Sequence, residues 1–150
     1  MEKLYLDDLH IGRTFESGEH VLEVEEIIDF ARQYDPQPFH TDPDAAERTF
    51  FGGLAASGWH TAAITMRLIV VSVPIAHGVI GAGGEVRWPT PARTGDVLRV
   101  NTTIETITPS RSRPGRAAVH VHCVTCNQHG EIRQEFRPRL IAWKRGAAPE

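Results

Sequence analysis

The chain has 150 residues, which suits one domain with a real core and leaves little room for two. Hydrophobic residues make up 41% and charged residues 23%, the balance of an ordinary globular protein. The net charge of −3 and a pI near 6.2 count against a nucleic-acid binder, which needs a basic surface to displace counterions. No run of apolar residues is long enough to span a membrane. Met1 to His10 carries acids and lacks an apolar stretch, so no secretory leader is expected and the cytoplasm is the expected compartment.

Thr14 to Leu22 reads weakly as a strand. Val24, Ile27, Ile28, Ala31 and Tyr34 then recur at helical spacing, with Glu23, Glu25 and Glu26 at the start, where the helix dipole favours negative charge. Pro36 disfavours a helical conformation at Asp35, so the helix stops there. Asp42-Pro43 begins another, an N-cap acid followed by proline at the first helical position. Trp59 to Val73 is apolar nearly all round apart from Arg67, which predicts a long helix buried on most sides.

Four strands follow if Val79 to Trp88 is one of them. Leu98, Val100 and Ile104 alternate with polar neighbours. So do Val119, Val121 and Cys123, and so do Ile132, Phe136, Leu140 and Ala142. Asn127 to Gly130 reads as a turn. The pattern predicts an α+β domain over residues 1–150, an antiparallel sheet wrapped around one apolar helix. Its tail after Trp143 is expected to be flexible.

The chemistry concentrates in Tyr34-Asp35-Pro36-Gln37-Pro38-Phe39-His40. An acid and an imidazole stand five residues apart on a loop that two prolines stiffen. Histidine exchanges protons near neutral pH, and a carboxylate beside it can hold or deprotonate a water. On spacing alone, a helix-ending aspartate and a structural histidine are the commoner account of such a pair. Cys123 and Cys126 with His129 fall short of a closed tetrahedral metal site, and no metal is expected. Arg111 to Arg116 is a basic loop that reads as a solvated turn, or as a contact for phosphates.

The run from Phe30 to Pro43, with Asp35 and His40 at its centre, resembles the hydratase motif of the MaoC-like and R-specific enoyl-CoA hydratase family. The resemblance continues from Phe51 to Thr61 and from Gly84 to Asp96, and covers about Leu6 to Trp143. Two positions depart from it. Gln37 stands where the family has asparagine, with Pro36 added, and Ser57 replaces a histidine.

The resemblance implies a hot-dog fold and reversible addition of water to a 2-enoyl thioester, carried on coenzyme A or acyl carrier protein, with fatty acid metabolism as the setting. Asp35 and His40 would be the catalytic pair, and Ser57, Gly58, Trp59 and His60 would bind substrate. Gly58 opens the long helix, whose first N–H groups lack internal partners, so its N–H is a candidate donor to the thioester carbonyl. The thioester is already an electrophile, so no cofactor is expected. A homodimer or higher even oligomer is expected, since a single sheet of this kind leaves edges exposed. Two alternatives share these residues: a hot-dog thioesterase and a non-catalytic subunit that binds acyl thioesters.

Overall fold

The computed structural model describes residues 1–147 and 149. Three long strands, β4 (Val97–Pro109), β5 (Arg116–Cys126) and β6 (Ile132–Trp143), form the middle of an antiparallel sheet. β3 (Ile80–Arg87) adds an edge beside β6. β1 (Thr14–Glu16) and β2 (His20–Val21) both pair with β4 at the other side. The single strand predicted over Thr14 to Leu22 is thus broken in two. At the break, the Val100 N–H donates to the Ser17 hydroxyl at 2.8 Å instead of to a backbone carbonyl.

The alternation read in β4 and β5 is the one that packs. Leu98, Val100 and Ile104 meet Val119, Val121 and Cys123 in one core. The start of β6 differs from its pattern. Ile132 is left 37% exposed, while Arg133 and Gln134 are buried. The register shifts at Thr125/Cys126, and Arg133 turns onto Asp96. Satisfying that charge decides which side chain goes inside.

α4 (Gly58–Ser72) lies on the sheet's inner face through Ile64, Leu68 and Ile69. The Thr65 and Thr125 hydroxyls join it to β5 at 2.7 Å. The expectation of burial on most sides needs correction. Trp59, Val70 and Val71 are more than half exposed, because one sheet covers only one side of a helix.

α1 (Val24–Tyr34) buries Ile27 and Ala31 and ends at Asp35, whose backbone is no longer helical (φ −153°, ψ 66°). Two short helices follow, α2 (Pro38–Thr41) and α3 (Pro43–Ala46), the latter capped by the Asp42 carboxylate. Beyond Trp143, the Lys144 N–H donates to the Gly115 carbonyl and the Arg145 guanidinium to Asp8. Ala148 and Glu150 of the tail lie outside the described residues.

One buried ion pair closes the end of the sheet where α4 begins. Arg133 Nε and Nη2 donate to the two oxygens of Asp96 at 2.8 and 3.2 Å. The same carboxylate accepts from the Arg93 N–H and from Asn127 Nδ2. Burial by itself would raise the Asp96 pKa. The Arg133 hydrogen bonds, with those from Arg93 and Asn127, outweigh it and hold the group below its usual value. A depressed carboxylate stabilises the fold fully above its unfolded pKa and loses that contribution as pH falls through the folded one. Asp96→Ala strands a buried guanidinium and is expected to cost about 3–5 kcal/mol in urea unfolding at neutral pH. The deficit should shrink as pH falls from the ordinary carboxylate range through the lower folded Asp96 pKa, and a pH-independent deficit would contradict this origin.

Candidate active site

Asp35 and His40 do come together. Asp35 ends α1, and α2 carries His40 back beneath it, so that Asp35 Oδ2 lies 3.2 Å from His40 Nε2. Pro38 at the first position of α2 starts that turn without wasting an N–H. His40 is buried, and its Nδ1 lies 2.7 Å from the Ala55 carbonyl oxygen. A carbonyl only accepts, so Nδ1 carries the hydrogen. Nε2 is left as the nitrogen that exchanges a proton, and it faces the carboxylate.

Both departures from the family motif touch Asp35. The Ser57 hydroxyl donates to Asp35 Oδ2 at 2.7 Å, and Gln37 Nε2 donates to Oδ1 at 2.5 Å. Burial pushes the Asp35 carboxyl upward. The hydrogen bonds from Gln37 and Ser57, helped by the His40 charge, reverse this and hold it below the ordinary value. The group is therefore a carboxylate at neutral pH, ready to accept a proton. Ser57 is also the N-cap of α4, its oxygen accepting the Trp59 N–H at 3.3 Å.

Next to the pair is a cleft of about 390 Å³. His40, Phe51, Ala56, Gly58, Thr61 and Trp88 are among its lining residues. The Gly58 N–H has no hydrogen-bond partner among the described residues. A methyl group added at Gly58 would fall 2.7–2.9 Å from the Trp88 indole, so glycine is required for the indole to lie there. The indole N–H is fixed on Gln134 Oε1 at 2.8 Å. Sequence reasoning did not single out Trp88 or Gln134 as site residues. Arg93 supports the opposite wall by donating to the carbonyls of Phe51, Gly53 and Leu54.

The four residues expected to bind substrate divide. Gly58 lines the cleft. Ser57 is fully buried and turned onto Asp35. Trp59 stands largely exposed, edge-on to Trp88. His60 faces away from the cleft, beneath α1. It stacks on Phe30 with ring centroids 4.6 Å apart, and its Nε2 is 3.8 Å from Glu26. Burial lowers its pKa, Glu26 opposing and His20 adding to the shift, so it is neutral at pH 7. Helical spacing puts residues 58 and 60 on different sides of the axis, which explains the division. Cys123 is buried against the Thr102 hydroxyl. Burial, only partly offset by that contact, pushes its thiol up to about 11, which disfavours the thiolate a metal would need.

Ser57→Ala removes a donor to the Asp35 carboxylate and a cap from α4. The Asp35 pKa, followed by carbon NMR of its carboxyl, should rise toward or above the ordinary value. Unfolding should cost about 1 kcal/mol less. An unmoved Asp35 titration would show that the hydroxyl does not govern this group.

Comparison with known proteins agrees with this architecture. Residues 8–124 match the family described as MaoC like domain. The crystal structure of the MaoC-like dehydratase from Rhodospirillum rubrum is 52% identical, covers 96% of this chain and 99% of that one, and superposes with a TM-score of 0.94. The 3-hydroxybutyryl-CoA dehydratase of Methylorubrum extorquens is 28% identical over 130 residues, which is 86% of this chain and 78% of that protein. The R-hydratase PhaJ1 from Pseudomonas aeruginosa shares the fold at 22% identity, with a TM-score of 0.76 over 95% of this chain and 87% of that one. A hot-dog sheet around α4, and a family match that takes in both the Asp35–His40 loop and the start of that helix, place this chain in the MaoC-like dehydratase family.

Proposed function

We propose that the protein adds water reversibly across the double bond of a 2-enoyl thioester carried on coenzyme A. The observation that carries the reading is the 3.2 Å approach of Asp35 and His40 beside an unpartnered N–H at the start of α4. That a relative is the 3-hydroxybutyryl-CoA dehydratase of Methylorubrum extorquens agrees with it.

In this reading the thioester carbonyl accepts the Gly58 N–H. Attack on the β-carbon makes that oxygen enolate-like, and the free N–H and the α4 dipole stabilise the growing charge. A water is held against both Asp35 and His40 on the cleft side. Asp35, kept ionised by Ser57 and Gln37, accepts the water's proton as oxygen bonds to the β-carbon. His40 Nε2, 3.2 Å from that carboxylate and with its ring fixed by Ala55, takes the proton from Asp35 and delivers it to the α-carbon, so both groups return to their starting state. No proton or electron is left over, and no cofactor takes part.

Asp35→Asn and His40→Ala are each expected to lower kcat on crotonyl-CoA by roughly 10²–10⁴ with the fold intact. The assay follows loss of enoyl absorbance alongside free thiol. Thiol release would mean hydrolysis, and near-wild-type turnover in either variant would remove the pair from the mechanism.

The working unit in this proposal is a homodimer. β3 is an exposed sheet edge, and Trp59, Val70 and Val71 are exposed apolar side chains of α4, with Arg67 exposed among them. A second copy covers like with like around a two-fold axis. Light scattering should show a dimer. Val70→Lys with Val71→Lys should shift it toward monomer, and an unchanged mass would exclude this face from the interface.

A further inference from the structure

Trp88 is a large apolar side chain that the core does not use, for it is left 40% exposed. Its indole N–H donates to Gln134 Oε1 at 2.8 Å. An indole N–H only donates, so the amide must present its oxygen there and turn Nε2 away. That Nε2 is buried and has no partner among the described residues, and Gln134 as a whole is fully buried. A buried donor without an acceptor is costly. Among the described residues the Gln134 side chain bonds to Trp88 alone, so what this amide accomplishes is the position of the indole.

That position is the gap between α4 and the edge of the sheet. The indole carbons lie 2.7–2.9 Å from where a Cβ on Gly58 would stand, and Trp59 meets the ring edge-on, with centroids 5.4 Å apart. Gly58, Ala62 and Met66 recur at four-residue intervals, so they share the face of α4 that Gly58 turns toward Trp88. On the sheet, Val86 stands two residues before Trp88 and opposite Phe136 of β6, on the face that carries the indole. Ala62, Met66, Val86 and Phe136 are all partly buried, and together they make an apolar groove along α4 that a long alkyl chain would follow. None of these four lines the cleft, which ends at the indole. On the sheet side the cleft ends on Thr90 and Arg133, a hydroxyl and a guanidinium already bonded to each other and to Asp96. An alkyl chain gains nothing against those groups.

We propose that Trp88, set in place by Gln134, determines acyl-chain length, so that the protein takes short, crotonyl-sized 2-enoyl chains and excludes long ones. The inference deepens the hydratase reading and rests on it for where the substrate lies. With the thioester carbonyl at the Gly58 N–H and the β-carbon at the water on Asp35 and His40, every carbon beyond the β-carbon needs apolar room. A crotonyl chain has a single carbon to place there. A dodecenoyl chain has a long run to place, and the groove that suits it lies behind the indole. To enter, it must displace a ring held at its N–H and packed on Gly58.

The experiment measures kcat/KM for crotonyl-CoA and trans-2-dodecenoyl-CoA with the wild type, Trp88→Ala and Gln134→Leu. The wild type should prefer crotonyl-CoA by at least about 100-fold, and Trp88→Ala should shrink that preference at least about tenfold through a gain on the long substrate. Gln134→Leu, which keeps the ring but frees it, should shrink the preference by less. A wild type that hydrates both substrates equally well, or a Trp88→Ala variant that loses both in proportion, would overturn the assignment. Circular dichroism reports whether Trp88→Ala folds. Where it does not, Trp88→Leu, which fills more of the space beside Gly58, takes its place with the same two outcomes. Calorimetry with the saturated butyryl-CoA and dodecanoyl-CoA, which have no double bond to hydrate, separates this inference from the reading beneath it. If dodecanoyl-CoA binds far more weakly than butyryl-CoA and Trp88→Ala closes the gap, yet crotonyl-CoA is never hydrated, the wall stands and the hydratase reading fails. If crotonyl-CoA is hydrated but neither rate nor binding depends on chain length, the hydratase reading stands and the wall fails.

Discussion

The carboxylate of Asp35 is the point at which the functional end of the molecule is tied together. It sits at the end of α1, accepts the hydroxyl that caps α4, and faces the imidazole carried by α2. A carboxylate is unfavourable beside the carbonyl end of one helix and favourable beside the N–H end of another. The bonds from Ser57 and Gln37 decide the balance and keep it charged in a half-buried place. The same contacts fix the distance to His40, so the charge and the geometry of the pair have a common cause.

The walls of the cleft rest on two further arginines with different tasks. Arg133 neutralises Asp96 where the sheet meets the start of α4, and its Nη1 also reaches the Thr90 hydroxyl. Arg93 gathers three carbonyls of the loop that carries Phe51. An ion pair buried this deeply contributes little net stability when intact and costs much when broken. Its use here is to hold Thr90 and the segment after Trp88 in one position opposite Gly58.

One chain leaves its surface unfinished in a consistent way. The exposed apolar side chains of α4 and the bare edge of β3 both lie outside the core. A two-fold axis through β3 would cover both. Helix and sheet alone do not explain why Val70 and Val71 are apolar. The interface between copies proposed above would.

Much of this was legible along the chain. Alternation in β4 and β5 gave the sheet, because a two-residue period can bury only one face. Pro36, Pro38 and Pro43 set the breaks that bring His40 under Asp35, because proline restricts backbone angles wherever it stands. Tertiary structure decided the rest. That Ser57 would turn onto Asp35, 22 positions away, and that Trp88 would lie on Gly58 are contacts between segments with no local signal. Arg133 looked like the outward half of an alternating strand until Asp96 arrived from another turn to bury it. Local preference fixes the elements, but only packing shows which charged groups find a partner and which side of a helix is left bare.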